Sequence, residues 1–117
     1  MKRKRVLLAL VLLLACSSTD PEDIPTSVTL SVDKDTGVVG EEFEFTWEAT
    51  GNYLIGVILD YGDGTPPDSL ETQGALQASA RRKHSYAQPG TYVATATVEE
   101  LADQPMSDME TVEVTGG

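Results

Sequence analysis

The sequence predicts an all-β protein, a sandwich of two sheets built from about seven short strands in about 90 residues. After Ser27 the apolar residues alternate with a period of two, which is the spacing of a strand with one buried face. Clusters of turn residues separate the alternating runs. No segment shows a convincing helical period, and only residues 71–80 are ambiguous.

The clearest alternating run is residues 42–48, in which Phe43, Phe45 and Trp47 alternate with polar side chains and are therefore predicted to face a core. Residues 54–61 are apolar on both faces, which predicts a central strand or one that is partly covered on its outer face. There, Ile55, Val57 and Leu59 interleave with Leu54 and Ile58. The other side chains predicted to face inward are Val28, Leu30, Val32, Tyr92, Ala94, Ala96, Val98, Val112 and Val114. The predicted breaks are Gly37, Gly40 and the segments 51–52, 62–64, 66–67, 89–90 and 103–105.

Charge divides the chain near Cys16. The 117 residues include 8 Lys and Arg and 19 Asp and Glu, but four of the basic residues lie at positions 2–5. The remainder therefore holds four basic and 19 acidic residues, and a surface that acidic excludes nucleic acid as a partner. One Cys excludes an intramolecular disulfide and a CxxC redox pair, and one His with few nucleophiles argues against an enzyme.

The N-terminus has the pattern of an export signal. Basic residues 2–5 precede ten apolar residues, 6–15, which in a helix would span only about half of a bilayer core. The apolar run ends in Leu14-Ala15-Cys16, which resembles a bacterial lipobox. We therefore predict a signal peptide over residues 1–15, a lipidated Cys16 and linker over 16–26, and a β-sandwich domain over 27–117.

The lipobox resemblance implies a diacylglyceryl group on the Cys16 sulfur and an acyl chain such as palmitate on its amino group. Two or three acyl chains anchor a protein stably, so we expect a membrane-bound cell-envelope lipoprotein. Residue 17 is Ser rather than Asp, and by the sorting rule of Gram-negative lipoproteins this favours the outer membrane if the organism has one. The alternative is an ordinary secreted protein whose Cys happens to lie near the cleavage point.

Two motifs in the body of the chain resemble a PKD (polycystic kidney disease) domain. The first, Leu59 to Thr65, reads LDYGDGT and corresponds to the family's W-x-F-G-D-G turn, with Leu59 and Tyr61 in place of its Trp and Phe. The second, residues 84–92, reads HSYAQPGTY. Its Gly90-Thr91-Tyr92 end has the spacing of a tyrosine corner. The residues that carry the resemblance are Asp60, Tyr61, Gly62, Asp63, Gly64, His84, Tyr86, Pro89, Gly90 and Tyr92.

The resemblance implies an immunoglobulin-like sandwich that serves as a spacer or makes protein or carbohydrate contacts. It implies neither catalysis nor a cofactor. The alternative function is a calcium-binding protein or an accessory subunit of an envelope enzyme. The sequence does not name the protein or glycan partner, and it leaves the oligomeric state open.

Three candidate sites have both a functional and a structural interpretation. Asp60, Asp63 and Asp68 crowd one turn and could ligate calcium, but their spacing is not that of an EF-hand, and Asp63 is as well suited to bonding its own backbone. His84 could be a metal ligand or a general base, but we favour a structural His hydrogen-bonded near the 62–64 turn.

The third candidate is the basic run Arg81, Arg82 and Lys83. It could bind an anionic partner such as a lipopolysaccharide phosphate or an acidic glycan. The structural interpretation, which we favour, is an edge strand whose charges prevent pairing with other chains. We interpret the acidic residues Glu42, Glu44 and Glu48 as a solvated face.

Overall fold

The computed structural model describes residues 24–116, and all of its regular structure is β, which confirms the predicted class. The predicted signal peptide, Cys16 and most of the linker lie outside the described residues. Among residues 24–116, no helix is long and apolar enough to cross a membrane. The six strands are β1 (Ser27–Val32), β2 (Thr36–Val38), β3 (Glu42–Asp60), β4 (Asp68–Ser85), β5 (Gly90–Glu100) and β6 (Met106–Thr115).

Strands β3 and β4 are long because each contributes to both layers of the sandwich. In the first layer, the first half of β3 pairs with β1 on one side and with the second half of β4 on the other. In the second layer, the first half of β4 pairs with the second half of β3, followed by β5, β6 and the parallel strand β2. All six strands therefore form one hydrogen-bonded sheet, folded into two layers.

The strand division differs from the prediction at residues 51–52. We expected a turn there, but β3 continues through the segment, with shifts of register after Thr50 and after Leu54. Such irregularities bend a strand and let it pass between layers. A Cβ at Gly51 would lie 2.7 Å from Leu54 Cδ2 and 3.2 Å from Glu100 Cγ, so a larger residue at this bend would have to displace these side chains. The ambiguous residues 71–80 belong to β4.

The bend also decides which apolar residues of this segment are buried. Leu54, Val57 and Leu59 face inward, whereas Ile55 is 43% exposed, so the segment is not buried on both faces. Between Leu54 and Gly56 the register against β5 shifts by one residue, which reverses the side-chain alternation. The remaining core matches the predicted alternation, and its members are Val28, Leu30, Phe43, Phe45, Trp47, Ala49, Leu54, Val57, Leu59, Tyr61, Tyr86, Ala94, Ala96, Val98, Val112 and Val114.

The sandwich has two ends, which differ in chemistry. The turn end comprises the loop 61–67 between β3 and β4, together with the β4–β5 connection around residues 84–92. The linker end comprises residues 24–26, the bend at 51–55, the facing irregularity of β4 at 73–76, and the β5–β6 loop 101–105. The chain enters the sandwich at the linker end.

Candidate functional site

The turn after β3 depends on two glycines with positive φ. Gly62 and Gly64 both have φ of +84°, a conformation that residues with a Cβ rarely adopt. Gly62 also lies directly against β5, because a Cβ at this position would be 2.2 Å from the Val93 carbonyl oxygen. Gly64 has open space around it, so only its backbone conformation requires glycine.

Two carboxylates hold this turn from within. Asp60 Oδ1 accepts a hydrogen bond of 2.9 Å from the Gly62 backbone amide. Asp63 Oδ1 accepts from the backbone amide of Thr65 at 3.1 Å and from its hydroxyl at 2.6 Å. Each Asp thus bonds a group two residues further along the chain, which is the usual way that Asp stabilises a tight turn.

His84 ties the turn to β4. Its Nε2 lies 2.8 Å from the second Asp63 oxygen, Oδ2. Because an ionised carboxylate can only accept hydrogen bonds, Nε2 is the donor. Burial raises the pKa of Asp63, but hydrogen bonds from Thr65 and His84 outweigh it, and the pKa lies below its usual value.

The His84 ring lies within a group of tyrosines. It stacks on Tyr61 with ring centroids 3.9 Å apart and meets the edge of Tyr86 at 4.8 Å. Tyr86 in turn stacks on Tyr92 at 4.3 Å. An imidazole packed between two aromatic rings and bonded to Asp63 has little freedom to act on a substrate, and this arrangement stabilises the turn end.

Each tyrosine hydroxyl of this group has a partner. Tyr61 donates to the Asp68 carboxylate, and Tyr86 donates to the Tyr61 carbonyl oxygen at 3.0 Å. Burial raises the pKa of both Tyr61 and Tyr86, and the hydrogen bond to Asp68 adds to the effect for Tyr61. Tyr92 donates to the Gln88 carbonyl oxygen, four residues earlier, at 2.7 Å, which is the bond of a tyrosine corner.

The three carboxylates considered for calcium have other partners. Asp60 bonds a backbone amide, Asp63 bonds Thr65 and His84, and Asp68 bonds Tyr61. In residues 24–116, no group of three or more acidic, His or Cys side chains is arranged to hold a metal ion.

The basic run does not form one patch. β4 is paired only with β3, so Arg81, Arg82 and Lys83 lie on an edge strand. Strand alternation directs Arg81 and Lys83, opposite Thr46 and Glu44, to the outer face of the first layer, whereas half-buried Arg82 faces inward.

The linker end contains a buried acid that we had not singled out from the sequence. Glu100 is 8% exposed, and its two carboxylate oxygens accept from the backbone amides of Tyr53 at 2.9 Å and Ala102 at 2.6 Å. The period of two on β5 could have identified it, because Glu100 follows Val98 on the inward face.

A cleft of about 270 Å³ opens beside Glu100. The chain entry is fixed here, because the Ile24 amide donates to Asn52 Oδ1 at 2.9 Å and the Pro25 carbonyl accepts from the Thr50 hydroxyl at 3.0 Å. The lining residues are Ile24, Pro25, Thr26, Asn52, Tyr53, Glu100, Leu101, Ala102 and Asp103.

Comparison with solved structures establishes the type of fold. The PKD domain of an M14-like peptidase from Thermoplasmatales archaeon SCGC AB-540-F20 superposes with a TM-score of 0.61 at 18% identity, covering 75% of this chain and 92% of that one. This chain has a PKD-type fold. The motif resemblance at residues 59–65 and 84–92 is therefore confirmed at the level of the fold.

Two other structures share the architecture. A CARDB domain from Pyrococcus furiosus, solved in complex with di-metal ions, matches with a TM-score of 0.58 at 20% identity, over 85% of this chain and all of that one. The sulfur carrier protein SoxY from Chlorobium limicola f thiosulfatophilum matches with a TM-score of 0.64 at 11% identity, over 75% and 78% of the two chains. No family model and no curated protein matches the sequence.

Proposed function

We propose that this protein is a non-catalytic lipoprotein of the bacterial cell envelope, whose PKD-type domain acts as a spacer or makes protein or carbohydrate contacts. The observation that carries the proposal is the Leu14-Ala15-Cys16 junction, which lies eight residues before the point at which Ile24 joins the sandwich. An acylated Cys16 would hold the domain at the membrane without a spanning segment.

The chain between the anchor and the domain supports this arrangement. Residues 17–23 read SSTDPED, which are small, acidic or Pro residues with no apolar side chain to bury. Eight residues can span at most about 26–29 Å, so the domain would stay close to the bilayer. With Ser17 after the lipidated Cys, we propose the outer membrane as the location in a Gram-negative organism.

The turn end supports a binding or spacing role rather than catalysis. The groups that could take part in chemistry there, His84, Asp63 and Asp68, are each bonded to another side chain of the same turn end. The structurally similar PKD and CARDB domains are small β-domains of the same architecture, which fits a module for interaction or spacing.

A second candidate is an accessory subunit of an envelope enzyme. The observation that favours it is the superposition on a PKD domain that belongs to a peptidase. Under this proposal the partner is an envelope hydrolase. A pull-down from detergent-solubilised envelopes, with the lipidated protein as bait, would recover that hydrolase, whereas a pure spacer would recover none.

The anchor is tested by the variant Cys16→Ser. We expect it to lose incorporation of labelled palmitate and to leave the membrane fraction. Ser17→Ala is the matched control, because it alters the neighbouring residue and keeps the sulfur that receives the lipid. Equal palmitate labelling of Cys16→Ser and the unmodified protein would contradict the proposal.

A further inference from the structure

Exposed apolar side chains concentrate at the linker end of the sandwich. Eight large apolar side chains are exposed in residues 24–116, and five of them lie at this end. Their exposed fractions run from 43% to 65%. The other three exposed side chains do not cluster but are spread over the turn end and the outer face of the second layer. The five are Tyr53, Ile55, Leu76, Leu101 and Met106.

Backbone contacts place these side chains together. The Leu101 amide donates to the Tyr53 carbonyl at 3.0 Å, which joins the β5–β6 loop to the bend of β3. Leu54, next to Ile55, is aligned with both Glu100 and Ala75, so Leu76 belongs to the same end.

The Tyr53 ring is held in place. It covers Gly74, where an added Cβ would lie 2.7 Å from Tyr53 Cε2, and Gly74 itself has a φ of +83°. An aromatic side chain that is fixed and still 48% exposed presents apolar area without losing further conformational freedom on binding.

The first described residue, Ile24, lies at this same end. Ile24 and Leu101 line one cleft, and Ile24 follows the predicted anchor Cys16 by eight residues. A span of at most about 26–29 Å is too short for the domain to turn its opposite end to the bilayer freely. With Cys16 anchored as proposed, the apolar end would be the end nearest to the membrane.

Charge does not drive this orientation. The described basic residues, Lys34 and the run 81–83, lie outside the linker end, and the loop of the linker end carries the exposed Asp103, so attraction to anionic lipid does not explain an orientation. Glu100 is turned inward and bonded by two backbone amides. An end with exposed Tyr and Leu side chains and an inward-turned acid suits the boundary between headgroups and acyl chains.

We infer that the linker end rests on the phospholipid surface, with Leu101, Tyr53 and Ile55 entering the interface. The inference depends on the proposed lipid anchor. It adds that the domain is held in one orientation, with the turn end directed away from the bilayer. A phospholipid surface is the occupant, not a protein.

The test labels an introduced Cys, which is possible because the chain has a single Cys of its own. Acylation of Cys16 blocks its sulfur, so a Cys introduced elsewhere is the only thiol that a fluorescent maleimide can label. Full-length lipidated protein carrying Leu101→Cys is labelled with an environment-sensitive dye and reconstituted into phosphatidylcholine vesicles. Met109→Cys is the matched control, because Met109 is 61% exposed and Leu101 65%, but Met109 lies on the side of the sandwich.

We expect the dye at residue 101 to emit further to the blue in vesicles than the dye at residue 109, and to be quenched when spin-labelled lipid is included, relative to vesicles without that lipid. The dye at residue 109 should not be quenched. Emission from residue 101 that matches residue 109 in the vesicles would overturn the inference, because the vesicles contain lipid and no protein partner.

A second variant tests whether the response at residue 101 is only a local effect of the dye. Ile55→Cys places the probe on β3, and it should respond as residue 101 does. Mass spectrometry of the mature N-terminus separates the two proposals. An unacylated protein refutes the anchor. An acylated protein whose dye at residue 101 emits like a dye exposed to water refutes only the orientation.

Discussion

The two ends of the sandwich differ in the contacts that their side chains make. At the turn end, polar groups bond one another within a few residues, and aromatic rings cover them, as with His84 between Tyr61 and Tyr86. At the linker end, Tyr53 and Leu101 expose apolar area to solvent. The turn end is therefore held by its own hydrogen bonds and ring contacts, whereas the exposed apolar surface of the linker end contributes little to stability and is available for contact.

The largest expected loss is in the core below the turn end. Phe45 is fully buried, and its ring lies 5.5 Å from that of Tyr61. We expect Phe45→Ala to lower the free energy of unfolding by about 3–5 kcal/mol, because it leaves a cavity. Urea unfolding followed by fluorescence of the buried Trp47 measures this, and an unchanged midpoint would mean that this strand face is not core.

The next effect distinguishes the two glycines of the turn. Gly64→Ala forces a positive φ on a residue with a Cβ and should cost about 1–2 kcal/mol. Gly62→Ala adds a collision with the Val93 carbonyl, so we expect more than about 3 kcal/mol. Thermal melts of the two variants make a matched pair, and equal losses would show that Val93 does not confine residue 62.

A smaller effect should depend on pH. Asp63→Asn keeps an acceptor for Thr65 but removes the charge that accepts from His84, so we expect a loss of about 0.5–1.5 kcal/mol at neutral pH. The folded pKa of Asp63 lies below its ordinary value of 3.8. The stabilisation by its charge is therefore present above pH 3.8 and disappears as the pH falls through the lower folded value.

Urea midpoints of the unmodified protein and Asp63→Asn should thus converge in acid. A gap that widens as the pH falls below 3.8 would contradict this sign. The same pair tests the calcium alternative, because a ligand that binds the folded state raises its melting temperature. We expect calcium and chelator to leave both melts unchanged, and a calcium-dependent rise lost only in Asp63→Asn would restore the calcium site.

The smallest effect should be at the linker end. Leu101→Asp replaces an exposed side chain in a loop, and we expect the free energy of unfolding to change by less than about 0.5 kcal/mol. Val98→Ala, three residues earlier and fully buried, is the contrasting variant and should be clearly destabilising. A loss for Leu101→Asp as large as for Val98→Ala would abolish the distinction between the two ends.

The sequence predicted the turn end better than the linker end for a physical reason. The contacts of Gly62, Asp63 and Tyr92 are mostly with near neighbours, so the motif contains much of their geometry. The bend at residues 51–55 depends on how β3 pairs with β4 and β5, and no local pattern records that pairing. The burial of Leu54 and the exposure of Ile55 follow from that pairing.

The basic run is a second case in which a local pattern is informative. Alternation alone directs Arg82 to the face opposite Arg81 and Lys83, so the sequence already implies that the three side chains do not share one face. In contrast, the bond between Tyr61 and Asp68 joins residues across the loop 61–67, and its partner could not be chosen among the nearby acids without the structure.

The long hairpin of β3 and β4, paired along both halves with irregularities at the bend, has a consequence for the order of folding. Contact between Leu59 and Asp68 closes only a short loop, and each further pair toward Glu42 and Ser85 adds to an existing ladder. Both layers can therefore grow from one hairpin, without first closing the long loops that slow most sandwiches. We expect substitutions at Gly64 to slow refolding, and substitutions on β1 or β6 to speed unfolding instead.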